Sequence, residues 1–204
     1  MKRKKCAPCG RKNQWEDHFT RRAKKENYPA RSVYKLEEIQ KKHHIIRKGD
    51  RILDLGCSPG SWLLFAAKET GSGGKVVGVD LKPVKERLPG NVQTIVGDIY
   101  KLGQDAGASM GSGFEVVLSD MAPQTTGHKF SDAVRSLELC RTALSVADEL
   151  LSPGGRFVCK IFQGEDFKRF CDDVKARYDR MQIFKPQSSR KASPEIFVIG
   201  LGKK

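Results

Sequence analysis

Leu53-Asp54-Leu55-Gly56-Cys57-Ser58-Pro59-Gly60-Ser61-Trp62 is the stretch that decides the fold. An apolar strand end runs into a glycine-bounded loop, and a helical pattern opens near Gly60. Gly56 and Gly60 let the main chain approach a ligand closely at the carboxyl end of a strand. Their spacing is G-x-x-x-G, without the G-x-G-x-x-G that seats a pyrophosphate on a helix N-terminus. The loop therefore suits a nucleoside without phosphates better than a dinucleotide.

Outward from the loop, short runs rich in β-branched residues recur: Arg51–Leu55, Lys75–Asp80, Val92–Val96, Phe114–Ser119 and Arg156–Ile161. Helical patterns lie between several of them, at Gly60–Glu69, Ala133–Leu151 and Asp166–Tyr178. Strands alternating with helices predict right-handed βαβ units, a parallel sheet and helices on both faces. The last two runs, Met181–Phe184 and Ile196–Leu201, have no helix between them, which predicts an antiparallel hairpin at one edge. The expected fold is thus α/β and Rossmann-like, a mostly parallel seven-stranded sheet with one antiparallel edge hairpin strand. Upstream, residues 31–44 place Val33, Leu36, Ile39 and Gln40 at helical spacing after Pro29, which predicts an amphipathic helix with a basic outer face. The expected division is a basic N-terminal arm, 1–30, and a single domain, 31–204.

Composition narrows the function classes. The formal charge is +14, and residues 1–50 hold 16 Lys/Arg against 6 Asp/Glu, so +10 of the excess sits in the first quarter. Such asymmetry points to a polyanionic partner. Arg21, Arg22, Lys24, Lys25 and Arg31 are the candidate phosphate contacts, and Tyr34 would stack on a base or pack inside. No apolar run approaches the ~20 residues that span a bilayer, and no apolar signal region follows the basic Met1–Lys5. A soluble, cytoplasmic protein with no membrane partner is expected. Cys57, Cys140, Cys159 and Cys171 fall in core-like segments and read as reduced thiols. Cys6 and Cys9 form a CxxC without a second ligand pair, so they read as free thiols in a loose arm and no metal is expected. The Gly/Ser-rich piece 103–113 reads as a flexible loop.

Acidic residues stand at successive strand ends. Asp80 closes the second strand, where it would accept from both ribose hydroxyls of a nucleoside, and Asp98 follows the third, where it would accept from an adenine amino group. A lone aspartate at a strand end is usually a turn or helix cap. With the glycine loop, the two favour S-adenosylmethionine. The fourth strand ends Leu118-Ser119-Asp120-Met121-Ala122-Pro123, and the fifth reads Phe157-Val158-Cys159-Lys160-Ile161-Phe162. A lysine inside an apolar strand is costly to bury unless it is paired or faces a cleft. Adjacent central strands would put Asp120 beside Lys160, as a structural ion pair or as a catalytic one.

The chain resembles the FtsJ/RrmJ (RlmE) family of ribosomal RNA ribose 2′-O-methyltransferases from Arg31 to its C-terminus. The matching stretches are Ala30–Leu36, Leu53–Trp62, Ser119–Pro123, Cys159–Phe162 and Ser193–Phe197. The resemblance implies a Lys-Asp-Lys-Glu tetrad on Lys35, Asp120, Lys160 and Glu195, with cofactor contacts on Gly60, Trp62, Asp80, Asp98 and Asp120. It further implies methylation of a ribose, a uridine's, in 23S RNA or the large ribosomal subunit, by a monomer. The loop departs from many relatives at Cys57-Ser58-Pro59-Gly60-Ser61-Trp62, small residue for small.

In that reading Lys160 takes the hydroxyl proton, Lys35 steadies the oxyanion, and Asp120 and Glu195 hold the ammonium groups. Desolvation and a second ammonium favour a neutral lysine, a carboxylate favours the charged form, and sequence leaves the balance open. Other readings remain: a 2′-O-methyltransferase of mitochondrial ribosomal RNA, transfer RNA or an mRNA cap; a base N-methyltransferase, against which Asp120-Met121-Ala122-Pro123 lacks the Pro-Pro-aromatic; a non-catalytic RNA-binding protein; and an NAD-linked reductase.

Overall fold

A computed structural model describes residues 18–102, 110–190 and 192–204. The elements are α1 (His18–Lys25), α2 (Val33–His43), β1 (Arg51–Leu55), α3 (Ser61–Thr70), β2 (Lys75–Asp80) and β3 (Val92–Val96). They continue with α4 (Ile99–Leu102), β4 (Phe114–Ser119), α5 (Lys129–Leu150), β5 (Leu151–Phe162), α6 (Phe167–Arg177), β6 (Tyr178–Phe184) and β7 (Glu195–Lys203). Cys6, Cys9 and most of the 103–113 piece lie outside the described residues.

One seven-stranded sheet has the order β3-β2-β1-β4-β5-β7-β6. Strands β1 to β5 pair in parallel, while β7 pairs antiparallel with both β5 and β6. The expected hairpin is present, with β7 as its inner strand and β6 at the edge. Central strands are apolar on both faces because helices cover both. Cys140, Ala143, Leu144 and Ala147 of α5 and Phe170 and Val174 of α6 pack on one face. Leu36 and Ile39 of α2 and Trp62, Leu63 and Ala66 of α3 pack on the other. Each large apolar side chain so buried contributes about 1.5–3 kcal/mol.

Several boundaries differ from the sequence reading, most of all at two places. The helix expected from Ala133 begins at Lys129, and β5 begins at Leu151, directly after α5. Within the stretch expected as a basic arm, α1 forms and sets Phe19 and buried Ala23 against α2 and α3. No helix among the described residues is long and apolar enough to cross a membrane. The four cysteines assigned to the core are buried free thiols.

Candidate active site

The carboxyl ends of β1, β2, β3 and β4 open on a cleft of about 520 Å³. Gly56, Ser58, Asp80, Asp98, Tyr100, Asp120 and Met121 are among its lining. Gly56 has φ +80°, and a Cβ there would lie 2.6 Å from the Met121 side chain, so the loop shape excludes any larger residue. Gly60 has φ +113° and starts α3. Asp80 accepts from Ser58 N at 2.9 Å and Lys82 N at 2.8 Å, which fixes the loop against the end of β2. Asp98 accepts from Tyr100 N at 3.0 Å and caps the short α4. Both aspartates thus hold main-chain amides and still line the cleft. Leu81 and Tyr100, 69% and 55% exposed, give it apolar walls on which a purine ring would be covered.

Asp54 lies on β1 beneath this loop, fully buried, and neither carboxyl oxygen has a hydrogen-bond partner among the described residues. Burial, then the charges of Asp120 and Asp80, push its carboxyl well above the usual range, which favours the neutral acid. The sequence reading did not single it out. The signal was there: an aspartate inside the apolar run Arg51–Leu55 is as conspicuous as Lys160 inside its own strand.

The four tetrad positions converge. In β5, Cys159 pairs with Ser119 of β4, so Lys160 sits beside Asp120 at the strand end. On the other side Lys160 pairs with Phe197 of β7, two residues from Glu195. Lys160 Nζ lies 2.9 Å from Asp120 Oδ1 and also donates to the Asp120 main-chain oxygen. Lys35 Nζ, delivered by α2, is 2.8 Å from Glu195 Oε1 and 3.9 Å from Asp120 Oδ1. Burial pushes Glu195 upward, but the charge and close contact of the Lys35 ammonium outweigh it and hold the carboxyl below its ordinary range. A continuous Lys160–Asp120–Lys35–Glu195 chain of opposite charges results, bordering the cleft at Asp120.

Other residues set that geometry. The Trp62 ring, 3% exposed, is not part of the cleft lining; its Nε1 donates to Ser32 O at 2.9 Å and it stacks on Phe197. Ser61 Oγ accepts from Ala30 N at 2.7 Å and donates to Ala30 O at 3.1 Å. The glycine loop is thereby fastened to the start of α2. Glu38, one turn after Lys35, accepts from Gln187 N at 2.6 Å and Ser188 N at 2.8 Å, and Arg31 donates to Ser188 O. These contacts hold the β6–β7 connection, and hence Glu195, against α2; bonds to main-chain atoms about 150 residues away leave no trace in local sequence. Tyr34 packs rather than presenting a stacking face: it is buried, donates to Glu26 and lies under the Arg22 guanidinium. Arg22 itself pairs with Glu26 and Glu37. Among the described residues, no group of three or more His, Cys, Asp or Glu is placed to hold a metal ion.

Comparison with known proteins gives the class of protein that carries this Rossmann-like sheet, cleft and charged rim: a methyltransferase. The FtsJ-like methyltransferase family model matches residues 28–203. The chain belongs to that family. It is 57% identical, over 95% of its length and 96% of the relative's, to the ribosomal RNA large subunit methyltransferase E of Desulforapulum autotrophicum. The protein of the same name from Desulfosudis oleivorans is 54% identical over 92% and 91%. A solved Plasmodium falciparum structure assigned as a ribosomal RNA methyltransferase superposes with a TM-score of 0.74 at 26% identity, covering 86% of this chain and 98% of that one.

Proposed function

We propose that the protein transfers a methyl group from S-adenosylmethionine to a ribose 2′-hydroxyl of a uridine in 23S ribosomal RNA, acting as a cytoplasmic monomer on that RNA or on the large subunit. The observation that carries the reading is the convergence of Lys35, Asp120, Lys160 and Glu195 at the rim of a nucleoside-sized cleft. The cleft residues suit the cofactor: Asp80 for the ribose hydroxyls, Asp98 for the adenine amino group, Gly56 for close main-chain approach, and Asp120 beside the methionine portion. Gly60 and Trp62 would contribute through their main chain. Bound there, the cofactor supplies an electrophilic methyl group on a sulfonium.

The residues of the chain do the rest by alignment and proton handling. A neutral amine has two N–H bonds and one lone pair. Lys160 donates to the Asp120 main-chain oxygen and has Oδ1 at 2.9 Å beside it, so both N–H bonds have an oxygen within reach and the lone pair would take the incoming hydroxyl proton. Lys35, paired with Glu195, is the ammonium that steadies the developing oxyanion. The positive excess of residues 1–50 supplies phosphate neutralisation. Nuclease digestion and mass spectrometry of large-subunit RNA methylated by the protein test the reading: a methyl on ribose is expected, and one on a base rejects it.

A further inference from the structure

Phe130 and Val134 are 57% and 39% exposed, one helical turn apart at the start of α5. Leu81 and Tyr100 are exposed too, but they wall the cofactor cleft, and Phe130 and Val134 are not part of its lining. They line instead a groove closed by Leu137 of the same helix and by Ile161, Phe162 and Phe167 from the end of β5 and the start of α6. Its volume, about 60 Å³, is too small to enclose an aromatic ring, so an occupant lies against it. Apolar side chains of this size are costly to leave in water, and a contiguous patch of them marks a contact site.

The groove shares its walls with the tetrad. β5 carries Lys160 directly before Ile161 and Phe162, and α5 follows the loop that leaves Asp120. Neighbours on a strand face opposite sides: Ile161 packs with α5, whereas Lys160 reaches the Asp120–Lys35 chain on the α2 side. The groove thus lies across the β5 end from the reacting atoms. Both walls are fixed. Asp132 accepts from Thr126 N at 2.8 Å, Thr126 Oγ1 at 3.0 Å and Gly127 N at 3.2 Å, tying the loop after Asp120 to α5. Ser136 Oγ accepts from Phe162 N at 3.0 Å. A Cβ on Gly164 would lie 2.8 Å from Ala133 Cβ, so the turn after β5 rests on α5. The charged residues at the groove are Glu165 and Asp166. Asp166 stands at the N-cap of α6, yet its side chain makes no capping hydrogen bond. Carboxylates repel phosphate and accept from N–H groups, so this rim suits the edge of a nucleobase and not the RNA backbone.

Unpaired RNA bases bind by stacking on aromatic rings. A ribose held at Lys160 brings the bases of the adjoining nucleotides within reach of the far side of the β5 end. We propose that the Phe130 ring is the platform for an unpaired base flanking the methylated nucleotide, with Val134 extending the apolar floor and Glu165 and Asp166 facing the N–H edge of that base. The inference rests on the ribose-methylation reading and deepens it: the tetrad takes the 2′-hydroxyl and the groove takes a neighbouring base, so the RNA is gripped on both sides of β5.

The test uses the full chain and unmethylated large-subunit RNA made by transcription, with binding measured over a series of KCl concentrations and S-adenosylmethionine affinity measured by calorimetry. F130A weakens RNA binding about tenfold, the scale of one stacked base. The salt slope stays at the wild-type value, because no phosphate contact is lost, and cofactor affinity does not change. F130W binds as the wild type does, while F130L, apolar but without a π face, recovers only part of the loss. The control I183A, which removes a similarly exposed apolar side chain from β6, leaves RNA binding unchanged. Wild-type affinity in F130A, a lowered salt slope, or an equal loss in I183A overturns the proposal. Placement is tested on RNA fragments carrying a base-free ribose on one side or the other of the mapped nucleotide. At one of the two positions the missing base costs the wild type about tenfold and F130A nothing further. Fully additive losses at both positions overturn it. So does self-association in sedimentation that F130A abolishes with RNA binding intact, which would make the groove a contact between copies of the chain. Failure of the ribose reading shows separately, as a base-methylated product from the wild type.

Discussion

The cleft at the strand ends and the tetrad meet at Asp120, yet they are built in opposite ways. The cleft comes from consecutive strand ends, each carrying its own aspartate, and its carboxylates are satisfied by amides two to twenty-two residues away. The tetrad is assembled from α2, the end of β4, β5 and β7, and its ion pairs join residues 40 to 160 positions apart. The first is local and acidic. The second is non-local and balanced, and it is held by contacts of Glu38, Arg31 and Trp62, which lie outside the four. In the proposed reading, binding of the donor is thus a property of a motif, and positioning of the acceptor is a property of the fold.

That contrast is sharpened most by Lys160. K160A should lower methyl transfer about a thousandfold, the upper range for a positioned base, while S-adenosylmethionine affinity stays at the wild-type value. A large loss of cofactor affinity would merge the two regions. The reverse experiment is D80N. Loss of a charge-assisted acceptor is worth about 1.5–3 kcal/mol, so cofactor binding should weaken about 10- to 100-fold with RNA affinity unaltered in the same titrations. Next comes E38A, which frees the Gln187 and Ser188 amides and loosens Glu195 without touching the cleft. Turnover should fall about fivefold and the RNA KM rise by a similar factor, on the scale of one or two hydrogen bonds. An effect confined to the cofactor KM would contradict the arrangement.

The smallest effect is in stability against pH, and it has opposite signs on the two sides. Glu195 is held below its usual range, so its contribution is complete above the unfolded value near 4.3 and is lost as pH falls through the lower folded value. Asp54 is raised, so the folded chain keeps a proton that the unfolded chain releases above about 3.9. Its effect is a stability that declines as pH rises toward the folded value. Urea unfolding from pH 3 to 7 should show D54N gaining on the wild type with rising pH, by at most about 1.4 kcal/mol per pH unit. E195Q should lose ground over the acid part of the same range. Parallel curves for wild type and D54N would mean that Asp54 ionises normally.

The sequence made these regions legible to different degrees. Leu53–Trp62, Asp80 and Asp98 announce themselves because strand, loop and acidic residue follow one another within each βα unit. Lys160 was visible as a charge in an apolar strand, whereas Lys35 and Glu195 entered through resemblance to the family. Asp54 obeyed the same rule as Lys160 but was hidden inside the glycine motif. Nothing local marks Glu38 as different from Glu37, which pairs with Arg22 and Lys41 on the helix surface. Only the docking of the 185–194 connection separates them. Trp62 illustrates the same limit, since a motif fixes where a residue stands and packing decides where its ring points.

The clasp between Ser61 and Ala30, with the indole bond to Ser32, has a practical corollary for anyone recombining such enzymes. Residues 56–62 are not a portable cassette. A donor loop transplanted from another scaffold would arrive without its counterpart at 30–32, and the helix bearing Lys35 would lose its anchorage even if the graft bound its nucleoside perfectly. The unit of exchange is the pair of segments together.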